Sequence, residues 1–246
     1  MQQVFDFLKG LRANNNKNWF DAHKNEYKEI QTKIEFLTRD LIKYLSNYNP
    51  ELRSLQPADC LYRINRDIRF SKDKTPYKNH IGIFIAQGGK KNGKAGYYFH
   101  FEPETENEEG HSLLAAGTYM LDNKYLKVIR EDIWNDYDGF RSILRAASGF
   151  CLDESNKLKQ TPHGYPKKTK YDKYLTLKDF CLTRKLDEEN LLREGNRHYM
   201  DSSQSISNGM LAHYLVNEIH TTHRFVEFLN RAINFVDEQV EEEITW

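Results

Sequence analysis

Between Phe20 and Tyr48 the aromatic and apolar residues recur every three or four positions, through Phe20, His23, Tyr27, Ile30, Ile34, Leu37, Leu41, Leu45 and Tyr48, and the run stops before Pro50. That spacing lays one apolar stripe along a helix, and such a stripe is stable only when another surface covers it. Asn18, with Asp21 three residues on, offers a helix start, so one long amphipathic helix is predicted over 18–48. Its polar side carries Lys24, Lys28, Glu29, Glu35 and Lys43, ordinary solvent-facing chemistry. A sheet can supply the cover. After Pro57 the chain changes to short β-type runs, CLYRIN, HIGIFIAQ, GYYFHFEP and SLLAAGTYM, each bounded by Gly, Pro, Asn or Asp.

These runs predict a sheet region over 60–121. Before the long helix, Val4, Phe7, Leu8 and Leu11 mark a shorter one, and Asn14, Asn15 and Asn16 read as a turn. After the sheet, Asp122 caps a helical region over 122–150, with Tyr125, Val128, Ile129, Ile133 and Trp134 as its first stripe. Residues 153–173 are polar, rich in lysine and interrupted by Pro162, Gly164 and Pro166, which makes a loop long enough to be functional or mobile. Helices return over 208–240, and the tail DEQVEEE is expected to fray into solvent. With no repeat and no linker-like break, the prediction is a single α+β domain over 1–246. Its central, mostly antiparallel sheet is flanked by N-terminal and C-terminal helices.

The chain holds 36 basic and 36 acidic residues, so no overall charge draws it to nucleic acid or to a membrane surface. No run approaches the roughly 20 apolar residues that a membrane helix needs, and a cytoplasmic protein with no membrane partner is expected. Cys60, Cys151 and Cys181 lie far apart and form no CxxC pair, which argues against a disulfide framework and against a thiolate metal site.

The charge is unevenly placed. Arg63, Arg66, Arg69, Lys72, Lys74 and Lys78 crowd into RINRDIRFSKDKTPYK, and Lys90, Lys91 and Lys94 come soon after. If CLYRIN and its continuation are extended, Arg63, Asn65, Asp67 and Arg69 share one side of the chain. Arginine forks onto phosphate or carboxylate oxygens better than lysine does. The stretch therefore reads as an anion site, with Arg63, Arg66 and Arg69 holding the ligand and Lys74, Tyr77 and Lys78 closing over it. It reads equally as an internal charge network, in which Asp67 and the acidic residues of 102–109 neutralise the arginines.

In GYYFHFEP, alternation gives Tyr97, Phe99 and Phe101 to the core and Tyr98, His100 and Glu102 to the other face. His100 and Glu102 are thus candidate acid–base groups, with Tyr98 a ligand contact, or else part of a half-exposed sheet surface, and Asp67 in the arginine stretch is a further catalytic candidate. The segment GGKKNGKA approaches a phosphate-binding loop, but Ala95 stands at the hydroxyl position and the segment joins two strands, so a hairpin loop is predicted. His213, His220 and His223 lack the carboxylate of an HExxH pattern, so no metal and no cofactor is expected.

The stretches NNNKNWFDAHKNEY, RINRDIRFSKDKTPYKNHIG, GYYFHFEP, AAGTYMLDNKYLKVIR and LTLKDFCLTRKL together resemble the family known as domain of unknown function 2461, over nearly the whole chain. The resemblance implies roles for Arg63, Arg66, Asp67, Arg69, Lys72, Lys74, Tyr77, Lys78, His100 and Glu102, and assigns no reaction. Ala115, Ala116 and Gly117 depart from a glycine-richer run at that place. Two functions emerge as expectations. One is an anion-binding protein, enzymatic or not, acting on a phosphorylated or carboxylated small molecule. The alternative is a nucleic-acid or protein interaction module using the basic stretch 63–94 and the loop 163–174, where Tyr165, Tyr171 and Tyr174 would stack on bases.

Overall fold

The structure, a computed structural model, describes residues 1–105, 110–196, 199–200, 206–207 and 209–244. The fold is α+β. Helix α1 (Gln2–Ala13) is followed by α2 (Lys17–Ala22) and α3 (Lys24–Leu45), then by a 3-10 turn at Pro50–Ser54 and the short α4 (Pro57–Cys60). Strands β1 (Ile81–Ala86), β2 (Gly96–Phe101) and β3 (Leu113–Thr118) come next, then α5 (Asn123–Asn135), α6 (Tyr137–Ala146), β4 (Cys151–Leu152), α7 (Asp172–Leu175) and β5 (Phe180–Lys185). Helix α8 (Glu188–Asn196), the two-residue strands β6 (Tyr199–Met200) and β7 (Ile206–Ser207), α9 (Gly209–Ile219) and α10 (His223–Ile244) complete the described chain. The antiparallel main sheet has the order β1-β2-β3-β5-β4.

Three predicted elements differ. The helix expected over 18–48 is two helices, because His23 turns its ring onto Trp19 at 3.9 Å and its Nδ1 onto the Trp19 carbonyl at 2.8 Å. The first of them starts at Lys17, where Asn16 Oδ1 accepts the Trp19 amide at 3.0 Å and caps it. CLYRIN is not a strand. Its backbone makes only isolated bridges, Leu61 to Ile83 and Asn65 to Tyr77, so the regular strand that a shared face for Arg63, Asn65, Asp67 and Arg69 requires is not formed. The tail expected to fray continues α10 as far as Ile244. Strand β5 and helix α8 are additional elements that the sequence pattern does not announce.

The chain divides into two compact units. The first is 1–90, 98–114 and 185–218, the second 91–97, 115–184 and 219–246. In the first, α1 buries Val4, Phe5, Phe7, Leu8 and Leu11, and α3 buries Ile30, Ile34, Leu37, Leu41 and Leu45. Each such side chain contributes about 1.5–3 kcal/mol when taken from water. Asn15 ties this layer to the stretch before β1. Its amide accepts the Tyr77 N–H at 3.1 Å and donates to the Tyr77 carbonyl at 2.9 Å and to Asn79 at 3.1 Å.

In the second unit, Phe140 gathers Phe228, Tyr174, Phe180 and Phe225 at ring separations of 5.1, 5.2, 6.4 and 6.4 Å. The loop 153–173 is tied down by Glu154, which meets Lys157 at 2.5 Å and Lys173 at 2.9 Å. The GGKKNGKA segment is indeed a hairpin loop. Lys94 Nζ donates to Asn234 at 2.6 Å and to Asp237 at 2.7 Å, and the Ala95 amide and carbonyl pair with Asn230 at 2.8 and 3.0 Å. No described helix is long and apolar enough to cross a membrane.

Gly117, on β3, sits at φ +129°, where a Cβ would lie 2.1 Å from the Phe180 carbonyl oxygen. Both the left-handed backbone and the close approach demand glycine. Gly117→Ala is expected to lower stability by about 2 kcal/mol or more, measured by urea unfolding. A midpoint equal to wild type would contradict this.

Candidate functional site

The site lies in the first unit. His80 immediately precedes β1, and β2 presents Tyr98 and His100 on its polar side with Glu102 just beyond its end. Since β1 and β2 are neighbours in the sheet, strand pairing carries His80 across twenty residues of sequence to His100, where the two rings lie 4.2 Å apart. Gly82 makes room beside them, for a Cβ there would fall 2.7 Å from the Tyr98 hydroxyl.

The polar groups form a chain. The Tyr98 O–H donates to His100 Nδ1 at 3.1 Å, His100 Nε2–H donates to Glu102 Oε2 at 2.9 Å, and Arg12 Nη2–H donates to Glu102 Oε1 at 2.6 Å. The side chains of His100 and Glu102 are only 14% and 19% exposed. Burial works to raise the Glu102 carboxyl, but His100 and then Arg12 and His80 outweigh it and hold the group below the usual glutamate range. Burial drives the His80 imidazole down to about 4, with His100 and Lys78 adding to the fall and Glu102 opposing it. Tyr98 is pushed up to about 12, mainly by burial, and so keeps its proton at neutral pH. A tyrosine, histidine and carboxylate in line can move a proton, and His80, His100 and Glu102 together offer two nitrogens and an oxygen within 4.8 Å of one another.

The cluster anticipated along Arg63–Lys78 separates into residues that are used locally and residues that are not. Arg66 is taken up by its own loop. Its Nη1 meets the Asp73 carboxylate and the Thr75 hydroxyl, and bonds the Thr75 carbonyl at 3.3 Å. The Thr75 amide, then Arg66 and the Thr75 hydroxyl, hold Asp73 down to about 2. Arg69 forks onto Asp67 at 2.9 and 2.6 Å with 77% of its side chain in solvent, so Asp67 is committed to it as well. Lys74 caps the Ile68 carbonyl at 2.9 Å. Tyr77 is buried and stacked on Phe20 at 4.2 Å, a core contact rather than a lid. Lys72 is exposed. Glu106, Glu108 and Glu109, named as possible partners of the arginines, lie outside the described residues.

Arg63 and Lys78 differ from these. Among the described residues neither makes an ion pair. Lys78 Nζ lies 5.4 Å from the centre of the Tyr62 ring, and burial followed by the charge of Arg63 lowers its pKa. Arg63 lines a cavity of about 420 Å³, walled by Lys24, Lys28 and Tyr62 on the polar side, floored by Ile30, Ile34, Leu61, Ile64 and Ile81, and bordered by His80. That volume is in the range of small-molecule sites. Sequence reasoning misses His80, Lys24 and Lys28. The lysines read as solvent-facing, and His80 needs the strand pairing, though its place directly before an apolar strand is a visible signal.

Because Arg12 and Glu102 are both largely shielded, removing either leaves a polar group without its partner. In a double-mutant cycle of Arg12→Ala and Glu102→Ala, read by urea unfolding, a coupling of about 1–2 kcal/mol is expected. Strictly additive losses would mean the contact does not hold the strand end.

The sequence model of the family described as "Conserved hypothetical protein (DUF2461)" matches residues 3–210. No match was found among curated proteins or among solved structures. The match spans most of the 246 residues, and the chain belongs to the DUF2461 family.

Proposed function

We propose that the protein binds a small anionic molecule, phosphorylated or carboxylated, in the cavity lined by Arg63, with Lys24, Lys28 and the adjoining Lys78 contributing positive charge. The observation that carries this reading is a difference in neutralisation. Arg66 and Arg69 have carboxylate partners, whereas Arg63, Lys24, Lys28 and Lys78 have none among the described residues. Unneutralised cations above an apolar floor favour a ligand with a charged head and a hydrocarbon or ring portion. Glu35, also in the cavity wall, is the one carboxylate there among the described residues and disfavours a second negative group on its side.

The interaction-module alternative draws less support. Its aromatic rings are engaged elsewhere: Tyr171 lies 4.5 Å from Trp134 and 4.7 Å from Tyr137, Tyr165 meets Trp134 at 5.7 Å, and Tyr174 is buried against Phe140. Rings held in this way are not free to stack on bases.

A thermal-shift screen in the presence of EDTA, using phosphorylated metabolites, carboxylates and short oligonucleotides, tests the reading. A ligand at a hundred times its Kd stabilises the native state by about 2.7 kcal/mol. A small anion should shift the wild type and Arg69→Ala equally, shift Arg63→Ala little, and be only partly recovered by Arg63→Lys, which lacks the fork. A shift with oligonucleotides alone, or one that survives Arg63→Ala, overturns it.

A further inference from the structure

We propose that His80, His100 and Glu102 form a binding site for a divalent first-row transition metal ion. His100 lies on β2, His80 directly precedes the neighbouring β1 and Glu102 directly follows β2, and their ligand atoms converge within 4.8 Å of one another. Around a tetrahedral ion with bonds of about 2.05 Å, ligand atoms stand about 3.3 Å apart. His100 Nε2 and Glu102 Oε2 already lie 2.9 Å apart, and the His80 nitrogen, within 4.8 Å of both, would have to draw closer to complete the set. Two imidazoles and one carboxylate are the donors of three-ligand sites for zinc and ferrous iron, which leave a position open for water or ligand. Magnesium and calcium prefer all-oxygen sites.

The surrounding bonds strengthen the case, because residues outside a metal's own ligands fix their orientation. The Tyr98 oxygen is 3.1 Å from His100 Nδ1, and Arg12 grips the Glu102 oxygen that faces away from His100. Metal binding would need the lone pair of His100 Nε2. The imidazole proton would then move to Nδ1 and be donated to the Tyr98 oxygen, with no net proton released from that ring. The carboxylate would exchange its hydrogen bond from His100 for a bond to the metal while keeping Arg12. Lys78, two residues from His80, places positive charge nearby, so a moderate, micromolar affinity is expected rather than the tightest class. The proposal does not rest on anion binding, and the two fail separately: the metal experiment contains no anionic ligand, and the anion screen contains EDTA.

The test is calorimetric titration of full-length, EDTA-stripped protein with zinc chloride, repeated with cobalt(II) to read its visible absorption. Wild type should bind one equivalent, with cobalt bands of a low-coordinate nitrogen and oxygen site. His80→Ala, His100→Ala and Glu102→Gln should each weaken binding at least tenfold, Tyr98→Phe should weaken it about tenfold, and His220→Ala, on the α9–α10 connection, should leave it unchanged. Glu102→Gln preserves side-chain shape and an acceptor for Arg12, and circular dichroism confirms which variants remain folded. Absence of saturable binding in wild type overturns the proposal. So does equal binding in folded Glu102→Gln, or a loss that accompanies His220→Ala instead.

Discussion

A carboxylate drawn away from water must be met by donors, and Glu102 is met on both oxygens, by Arg12 from α1 and by His100 from β2. That double engagement fixes where the end of β2 stands relative to the first helix. It also orients the His100 ring, since Nε2 is directed at Glu102 and only Nδ1 remains for Tyr98. His80 then has a defined neighbour to lie against, and the cavity it borders acquires a rigid polar corner. Without Arg12, one oxygen of the shielded carboxylate would lose its donor and His100 alone would remain to offset the burial cost.

The second organising constraint is how cations are neutralised. The stretch from Arg63 to Lys78 holds both kinds of basic residue within sixteen positions. Arg66 closes a loop whose ends are already joined by the Arg66 amide to the Pro76 carbonyl at 2.9 Å and the Lys78 amide to the Ile64 carbonyl at 2.8 Å. Arg69 neutralises its near neighbour Asp67. Once these are set aside, Lys74 sits on the Ile68 carbonyl, Lys72 is exposed, Arg63 lies at the cavity wall and Lys78 lies beside Tyr62. Charge density in the sequence does not separate the basic residues that have carboxylate partners from those that have none among the described residues.

Much of the fold can be read directly. The three- and four-residue period of α1 and α3 and the alternation in β2 survive because one face of each is buried, whereas β1 is buried almost throughout. Each feature that escapes has a physical reason. CLYRIN has strand composition, but its backbone forms only single bridges, a matter of tertiary pairing rather than propensity. The break at His23 depends on a ring stacking upon Trp19, which no periodicity encodes. The arginine spacing looks like a face only on an extended backbone, whereas Asp73, seven residues from Arg66, reaches it only through a loop. His80 joins the site through sheet register alone.

The loop closed by Arg66 has a consequence for how this sequence can drift. One guanidinium serves a carboxylate, a hydroxyl and a carbonyl at once, a geometry that lysine's single ammonium cannot span. Selection for folding alone would therefore retain arginine at 66 and tolerate many residues at 63, while selection for a ligand would add a demand at 63. In any set of diverging copies of this chain, the two arginines three positions apart would record different histories.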